Sequence, residues 1–257
     1  MSRILVTNDD GIDSPGLHAL ARAVVASDHD VMVAASLDDR TGSSASIGPA
    51  PVGDGIAMET RVVPGLEDVR AFGVDAPPAL IVLVARLGAF GPPPDLVVSG
   101  INPGANTGRA VMHSGTVGAA LTGANLGVSA LAVSIEIGEP QHWETAATLA
   151  ALTVDWVQQA PARTVVNLNV PNAPLDRLAW VRWASLAPFG TVRTAVTGAD
   201  TGRLQIEFRP TDVDLDPASD TALLQAGYAA VTTITGVRAT EPTDVADWLE
   251  ARLERAV

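Results

Sequence analysis

The chain has 257 residues, 47% hydrophobic and 18% charged, a composition that excludes a disordered chain and predicts a sizeable folded core. Its formal net charge of -13 argues against binding to long nucleic acids or to anionic membrane surfaces, because these are negatively charged as well. Cysteine is absent, which excludes both disulfides and thiolate zinc sites.

Short apolar segments rich in β-branched residues alternate with helical patterns through the first part of the chain. Strands are predicted at 4–7, 31–35, 96–99, 131–135 and 165–170, and helices at 15–25, 78–87, 117–126 and 143–158. Such alternation predicts an α/β fold with a mostly parallel sheet and helices on its faces. The first apolar run is too short for a signal peptide, and no run of about 18 apolar residues is present. We therefore expect a cytoplasmic protein without a membrane span.

The pattern changes from residue 179 onward. Separated strand-like pieces occur at 180–183, 204–208 and 229–234, with Thr, Gly and Asp between them, and these predict an antiparallel extension. We therefore predict one α/β domain over 1–257, made of a core at 1–178 and a β-rich extension with a terminal helix at 179–257.

The predicted terminal helix, 242–255, carries one apolar stripe. Val245, Trp248, Leu249 and Leu253 stand at helical spacing, so the stripe requires a partner surface in its own chain or in another one. The five tryptophans of the chain are expected to pack in the core.

Polar residues follow three of the predicted strands, at the point where each strand ends. They are Asn8-Asp9-Asp10-Gly11, the segment 38–44 (DDRTGSS) and the segment 100–106 (GINPGAN). In an open parallel sheet the ligand site lies beyond the carboxyl ends of the strands. The three clusters are therefore expected to meet at one edge of the sheet.

Asp9 and Asp10 are the candidate metal ligands of this edge. Adjacent carboxylates repel each other unless a cation or hydrogen-bond donors compensate them, and hard divalent cations prefer oxygen ligands. An isolated Asp-Asp-Gly sequence is more often only a tight turn. The position of this one beside two other polar loops favours the metal site.

A hydroxyl- and glycine-rich turn, His113-Ser114-Gly115-Thr116, leads into the predicted helix at 117–126. Small residues let backbone N–H groups approach an anion, and the helix dipole favours negative charge at that end, so the turn is a candidate phosphate cradle. The alternative is a simple helix cap formed by Ser114 or Thr116. His113 is either a general acid for the leaving group or an exposed residue at the helix entry.

Three segments in order resemble the signature segments of the SurE family of survival-protein nucleotidases. They are NDDG at 8–11, SGINPGAN at 99–106 and SGTV at 114–117. The similarity covers roughly residues 1–135, continues weakly through 165–171 and fades in the C-terminal third. The resemblance implies a Rossmann-like core and a metal-dependent phosphomonoesterase, a 5′/3′-nucleotidase that cleaves nucleoside monophosphates.

The resemblance also implies the site residues. One divalent cation per chain, of the Mg²⁺, Mn²⁺ or Ca²⁺ type, is expected on four oxygen ligands: Asp9, Asp10, Thr41 and Asn102. The catalytic residues would be Asp9, Asp10, Asn102 and Ser114. Phosphate or substrate would contact Asn8, Gly42, Ser43, Asn106, His113, Ser114, Gly115 and Thr116. Water activated beside Asp9 or Asp10 is the expected nucleophile, with Ser114 as the competing hypothesis.

The sequence departs from the family pattern at several positions. Arg40-Thr41-Gly42 has threonine in place of the usual serine, which keeps the hydroxyl. The segment 73–78 (GVDAPP) lacks a hydroxyl and an aspartate of the usual Gly-Thr-Pro-x-Asp-Cys, His113 replaces a common tyrosine, and Thr122 replaces a common glutamate. These changes affect substrate choice more than metal binding.

Three functions therefore remain open at this point. Besides a nucleotidase, the chain could be a phosphatase for another small phosphate ester, such as a sugar phosphate, or a catalytically silent anion-binding paralogue. Base preference and the choice between 5′ and 3′ substrates are undetermined. The resemblance further implies a homodimer or homotetramer built through the C-terminal segment, the alternative being a terminal helix that packs on its own sheet.

Overall fold

Strands and helices alternate over most of the chain. The computed structural model describes residues 2–48, 55–198, 205–210, 212–237 and 245. The strands are β1 (Arg3–Thr7), β2 (Asp30–Ser36), β3 (Met58–Val63), β4 (Leu66–Val74), β5 (Leu96–Pro103), β6 (Ser129–Ile135), β7 (Val165–Val170), β8 (Trp180–Trp183), β9 (Val192–Gly198), β10 (Gln205–Pro210) and β11 (Tyr228–Ile234). The helices are α1 (Pro15–Val25), α2 (Pro78–Arg86), α3 (Gly115–Asn125), α4 (Trp143–Gln159) and α5 (Asp220–Gln225), with 3₁₀ helices at Gly108–His113 and Leu175–Arg177. Within these residues no helix has the length and apolar content needed to cross a bilayer.

Nine strands form one mixed sheet in the order β3-β4-β2-β1-β5-β6-β7-β11-β8. The six strands from β4 to β7 in this order are mutually parallel. At one edge β3 pairs antiparallel with β4, and at the other β11 pairs antiparallel with β7 and parallel with β8. The predicted mostly parallel, Rossmann-like sheet is confirmed.

The central strands are apolar on both sides because helices cover both faces of the sheet. In β1, Ile4 and Val6 pack with α1 and α4, whereas Leu5 packs on the opposite face with α2 and α3. Alternate side chains of a strand point to opposite faces, so a strand buried on both needs a continuous apolar run. α1 begins where the sequence predicted, since Ser14 caps it and Pro15 occupies its first turn.

The C-terminal third contains both expected and unexpected elements. β9 and β10 form a separate antiparallel two-stranded sheet, which agrees with the predicted antiparallel extension, although only β10 was predicted as a strand. β8 and β11, predicted as part of the same extension, instead join the main sheet and are parallel to each other. The β3–β4 hairpin, β9 and α5 were not predicted. The predicted helix at 242–255 lies outside the described residues except for Val245, and the division of the domain at 178/179 stays a prediction.

The tryptophans mostly lie outside the core, contrary to expectation. Trp180 and Trp183 are 68% and 67% exposed, and Trp156 is 55% exposed. β8 is the last strand of the sheet and all four of its residues are exposed, so its two tryptophans have no core face to enter. Only Trp143 packs partly against the core, and Trp248 lies outside the described residues.

Candidate active site

The polar segments after β1, after β2 and in β5 meet at the carboxyl edge of the sheet, where α3 begins. The Arg40 backbone N–H donates to the Asp9 carbonyl over 2.7 Å, which ties the second cluster to the first. The Thr116 hydroxyl donates to Asp9 Oδ1 over 2.6 Å and lies 3.5 Å from Asn102 Oδ1. The structure thus brings Asp9, Asn102 and Thr116 into one buried site.

The two aspartates of this site are costly to ionise without a counter-charge. Asp9 is only 2% exposed, and burial raises its pKa, although hydrogen bonds from Thr116 and from the Gly115 backbone act in the opposite direction. Burial, and then the charges of Asp9 and Asp39, raise the pKa of Asp10 to about 7. A cation bound here would remove this repulsion.

The donor atoms fit a hard divalent cation. Asp10 Oδ2 and Asn8 Oδ1 are buried without a hydrogen-bond partner among the described residues, and an unpaired buried oxygen is what a metal ion can satisfy. No three His, Cys, Asp or Glu side chains of the described chain come together as a metal cluster. The candidate ligands are therefore two carboxylates together with amide and hydroxyl oxygens. Asn102 Oδ1 is one such amide oxygen, since it lies 3.5 Å from the Thr116 hydroxyl that binds Asp9.

The N-terminus of α3 forms a narrow cradle beside Asp9. A Cβ atom on Gly115 would stand 2.5 Å from Asp9 Oδ2 and 2.6 Å from Ser43 Oγ, so only glycine fits there. Ser43 Oγ is itself buried without a hydrogen-bond partner in the described part of the chain. Ser114 caps α3 by accepting from the Val117 N–H over 3.1 Å. Its predicted role in phosphate binding or catalysis stays a prediction.

Three of the predicted site residues are exposed and lie outside the cradle. Thr41 is exposed, and its hydroxyl donates to Asp39 Oδ1 over 2.5 Å. That hydrogen bond lowers the pKa of Asp39. Gly42 has open space around it, and His113 is exposed at the end of its 3₁₀ helix. Their roles as metal or substrate ligands stay predictions.

The segment that departs from the family pattern contacts the second polar cluster directly. Asp75, within 73–78, accepts a hydrogen bond from the Arg40 guanidinium. Both side chains are exposed in part, so this ion pair shapes the loop beside the site more than it stabilises the fold. A change in this segment can therefore alter the loop that carries Thr41.

Replacement of Thr41 by Val is expected to weaken Mn²⁺ binding, and replacement by Ser to preserve it, because only Ser keeps the oxygen. Isothermal titration of both variants with Mn²⁺ measures the difference. If Thr41→Val binds Mn²⁺ like the parent, Thr41 is not a ligand. Ser43, whose unpaired hydroxyl already lies beside Asp9, would then be the remaining hydroxyl candidate.

A polar network around Asn106 was not predicted in full. The Asn106 side chain donates to Ser134 Oγ over 2.8 Å, and its backbone N–H donates to Asn169 Oδ1 over 2.7 Å. Its carbonyl accepts from the side chains of Asn167 and Asn169. The signal was present in the sequence, because polar residues at 167 and 169 interrupt an apolar strand and point to one face.

Comparison with known proteins gives one consistent result. The family model described as survival protein SurE matches residues 4–192. The 5′-nucleotidase SurE of Xanthomonas campestris pv. campestris (strain B100) is 41% identical over 195 residues, which is 74% of this chain and 69% of that protein. The 5′-nucleotidase SurE of Alkalilimnicola ehrlichii is 34% identical over 256 residues, 97% of this chain and 96% of that protein.

A solved structure agrees over nearly the whole chain. The crystal structure of the SurE protein from Aquifex aeolicus superposes with a TM-score of 0.79 at 25% identity, covering 96% of this chain and 99% of the other. This chain is therefore similar to SurE proteins in both sequence and fold. The similarity agrees with its sheet order, its aspartate pair after β1 and the glycine-rich start of α3. The chain belongs to the SurE family.

Proposed function

We propose that this protein is a metal-dependent phosphomonoesterase that hydrolyses nucleoside monophosphates to nucleoside and phosphate. The observation that carries the proposal is the Asp9–Asp10 pair at the carboxyl edge of the sheet, beside the N-terminus of α3. Asp9 is buried, and Asp10 Oδ2 is a buried oxygen without a hydrogen-bond partner among the described residues. Relatives that bear the name 5′-nucleotidase SurE support the substrate class.

Asp9, Asp10 and Asn102 are the residues that would hold the cation, with Thr41 or Ser43 adding a hydroxyl. A divalent ion bound there would act as a Lewis acid toward the phosphoryl oxygens. Thr116 fixes the orientation of the Asp9 carboxylate through its hydrogen bond to Oδ1. The Asp10 carboxylate would hold the cation through one oxygen and would orient the attacking water and accept its proton through the other.

The start of α3 supplies donors for the phosphate. Backbone N–H groups and the positive end of the helix dipole favour an anion at this position. The lack of a side chain at Gly115 lets the start of α3 lie directly against Asp9 and Ser43. The hydroxyl of Ser43 can donate to the same group. Ser114 uses its oxygen to cap the helix, so attack by water accounts for the arrangement without a covalent intermediate.

A substrate panel with and without metal tests the proposal. Nucleoside 5′- and 3′-monophosphates, a sugar phosphate and p-nitrophenyl phosphate are each incubated with Mg²⁺, Mn²⁺ or Ca²⁺, or with a chelator, and released phosphate is measured. We expect release that requires the metal and is fastest with nucleoside monophosphates. Preference for the sugar phosphate would instead support the alternative phosphatase. Binding without hydrolysis would identify a silent paralogue.

We also propose that the protein is a homodimer or homotetramer in which the C-terminal segment supplies contacts. The exposed edge strand β8, which carries Trp180, Val181 and Trp183 and has no second neighbouring strand among the described residues, supports a second copy as the partner. Large apolar side chains on an edge strand favour association. Light scattering should then give a mass at least twice the 26.4 kDa of the chain. The cytoplasmic location stays a prediction.

A further inference from the structure

We propose that Asp220 is a positioning residue for the reaction. It lies outside the aspartate site and fixes the loop after β5 that carries Asn106. This inference rests on the proposed function. Asp220 lies at the start of α5, has no exposed surface, and is outside the residues 4–192 that the family model matches.

The Asp220 carboxylate joins three separate segments of the chain. Its Oδ2 accepts from the Gly108 backbone N–H over 2.8 Å. Its Oδ1 accepts from the backbone N–H groups of Ala187 and Thr221, over 2.9 and 2.8 Å. A buried carboxylate is tolerated when several N–H groups donate to it, so these hydrogen bonds compensate its burial. The carboxylate thus links the site loop to the C-terminal extension.

Only a carboxylate satisfies both sides of this link. Each of its two oxygens accepts from a different segment, Gly108 on one side and Ala187 on the other. An asparagine has one acceptor oxygen and an NH₂ group, and the NH₂ group would face one of these N–H donors. Asp220→Asn would therefore leave one segment without its partner while changing the side-chain volume very little.

Gly108 lies close enough to the extension for this contact to fix the loop. It has a φ of +59°, and a Cβ atom there would stand 2.4 Å from the Phe189 carbonyl oxygen. The same carbonyl accepts from the Thr221 hydroxyl over 2.9 Å. Asp220 and Thr221 together hold the downstream end of the loop against residues 187–189.

The upstream end of the same loop is held by a different group of contacts. Asn106 is bonded to Asn167 and Asn169 of β7 and to Ser134 of β6. Only Thr107 separates Asn106 from Gly108, so the position of Asn106 is determined from both ends. Asp9 and Asp10 follow β1, and in the described part of the chain no hydrogen bond joins them to Asn106, Thr107 or Gly108. Loss of the Asp220 contact should therefore impair phosphate binding and turnover but not metal binding.

The test compares Asp220→Asn with Ser219→Ala in the full-length protein. Ser219 caps the same helix: its hydroxyl accepts from the Ala222 N–H and donates to the Asp216 carbonyl. Neither hydrogen bond involves the loop, so Ser219→Ala controls for weakening of α5. Two affinities are measured, one for Mn²⁺ and one for inorganic phosphate in the presence of Mn²⁺. Steady-state kinetics then gives kcat and KM for a nucleoside monophosphate. Amide hydrogen exchange at Gly108 reports on the loop itself.

For Asp220→Asn we expect kcat/KM to fall by at least about tenfold, phosphate affinity to fall in parallel, and Gly108 to exchange faster. Mn²⁺ affinity should stay close to that of the parent, and Ser219→Ala should resemble the parent in all four measurements. If Asp220→Asn does not fold, Thr221→Val removes the neighbouring hydrogen bond to Phe189. Thr221→Val should then lower kcat/KM, weaken phosphate binding and speed amide exchange at Gly108, each by less than expected for Asp220→Asn.

Two results would overturn the inference. One is a folded Asp220→Asn protein with phosphate affinity and turnover equal to those of Ser219→Ala. The other is a parallel loss of Mn²⁺ affinity and turnover, which would indicate a general structural role. If the parent hydrolyses no phosphate ester but Asp220→Asn alone loses phosphate affinity, the proposed function is wrong and the positioning role of Asp220 stands.

Discussion

Asp9→Asn and Asp10→Asn should each lower metal-dependent hydrolysis by at least about 100-fold, because each removes a charged ligand that would stabilise the transition state by a few kcal/mol. Phosphate release from a nucleoside monophosphate at saturating Mn²⁺ measures the loss. Titration with Mn²⁺ should show weakened binding in both variants. The effect arises from the position of the two carboxylates: Asp9 is buried beside α3, and Asp10 Oδ2 is a buried oxygen without a hydrogen-bond partner among the described residues.

The fold of these variants should remain intact without metal. Burial raises the pKa of both aspartates, so a neutral amide in either position removes a buried charge that the metal-free protein tolerates poorly. Thermal unfolding in the presence of a chelator checks this. Asp13→Asn is the matched control, since Asp13 lies in the same loop but is exposed. Turnover near that of the parent in both site variants would refute the metal assignment.

Gly115→Ala should reduce turnover by at least about tenfold through steric overlap. The added Cβ would stand 2.5 Å from Asp9 Oδ2 and 2.6 Å from Ser43 Oγ, closer than such atoms can approach. Either the carboxylate or the start of α3 must move. In the proposed mechanism the carboxylate holds the cation, and the start of α3 holds the reacting phosphate. Steady-state kinetics should show the loss mainly in kcat.

Gly123→Ala in the same helix is the control for this variant. A Cβ there would meet apolar side-chain atoms, the nearest being Val97 Cγ2 at 3.1 Å, and none of the site. Alanine also favours helix over glycine, so any effect of Gly115→Ala is not due to poorer helix formation. Equal turnover in the two variants would show that the cradle beside Asp9 is not part of the site.

Most of the fold could be predicted from the sequence because it is determined by local patterns. Buried parallel strands need uninterrupted apolar runs, and the helix at Pro15–Val25 has a recognisable start at Ser14. The β3–β4 hairpin was missed, since β3 is largely exposed and carries a polar, charged sequence that does not alternate clearly. α5 was missed because it has only six residues.

The residue types of the site could also be predicted, but not all of their partners. Adjacent aspartates after a strand and glycine before a helix indicate an oxygen-ligand and phosphate site from sequence alone, since parallel strands deliver their carboxyl ends to one edge. The direction of the Thr41 hydroxyl toward Asp39 could not be predicted, because it is set by the local loop conformation. The same holds for the Arg40–Asp75 pair.

The α/β class, the order of the core elements along the chain and the aspartate, asparagine and glycine positions that identify the family follow from the sequence alone. The three-dimensional structure was needed to show which of these side chains meet. It also showed that Asp220, more than 100 residues from Gly108 in the chain, binds the site loop. Hydrophobic periodicity specifies elements and faces locally. A hydrogen bond across 112 positions depends on how β11, α5 and the loop after β5 pack together, and no local pattern encodes it.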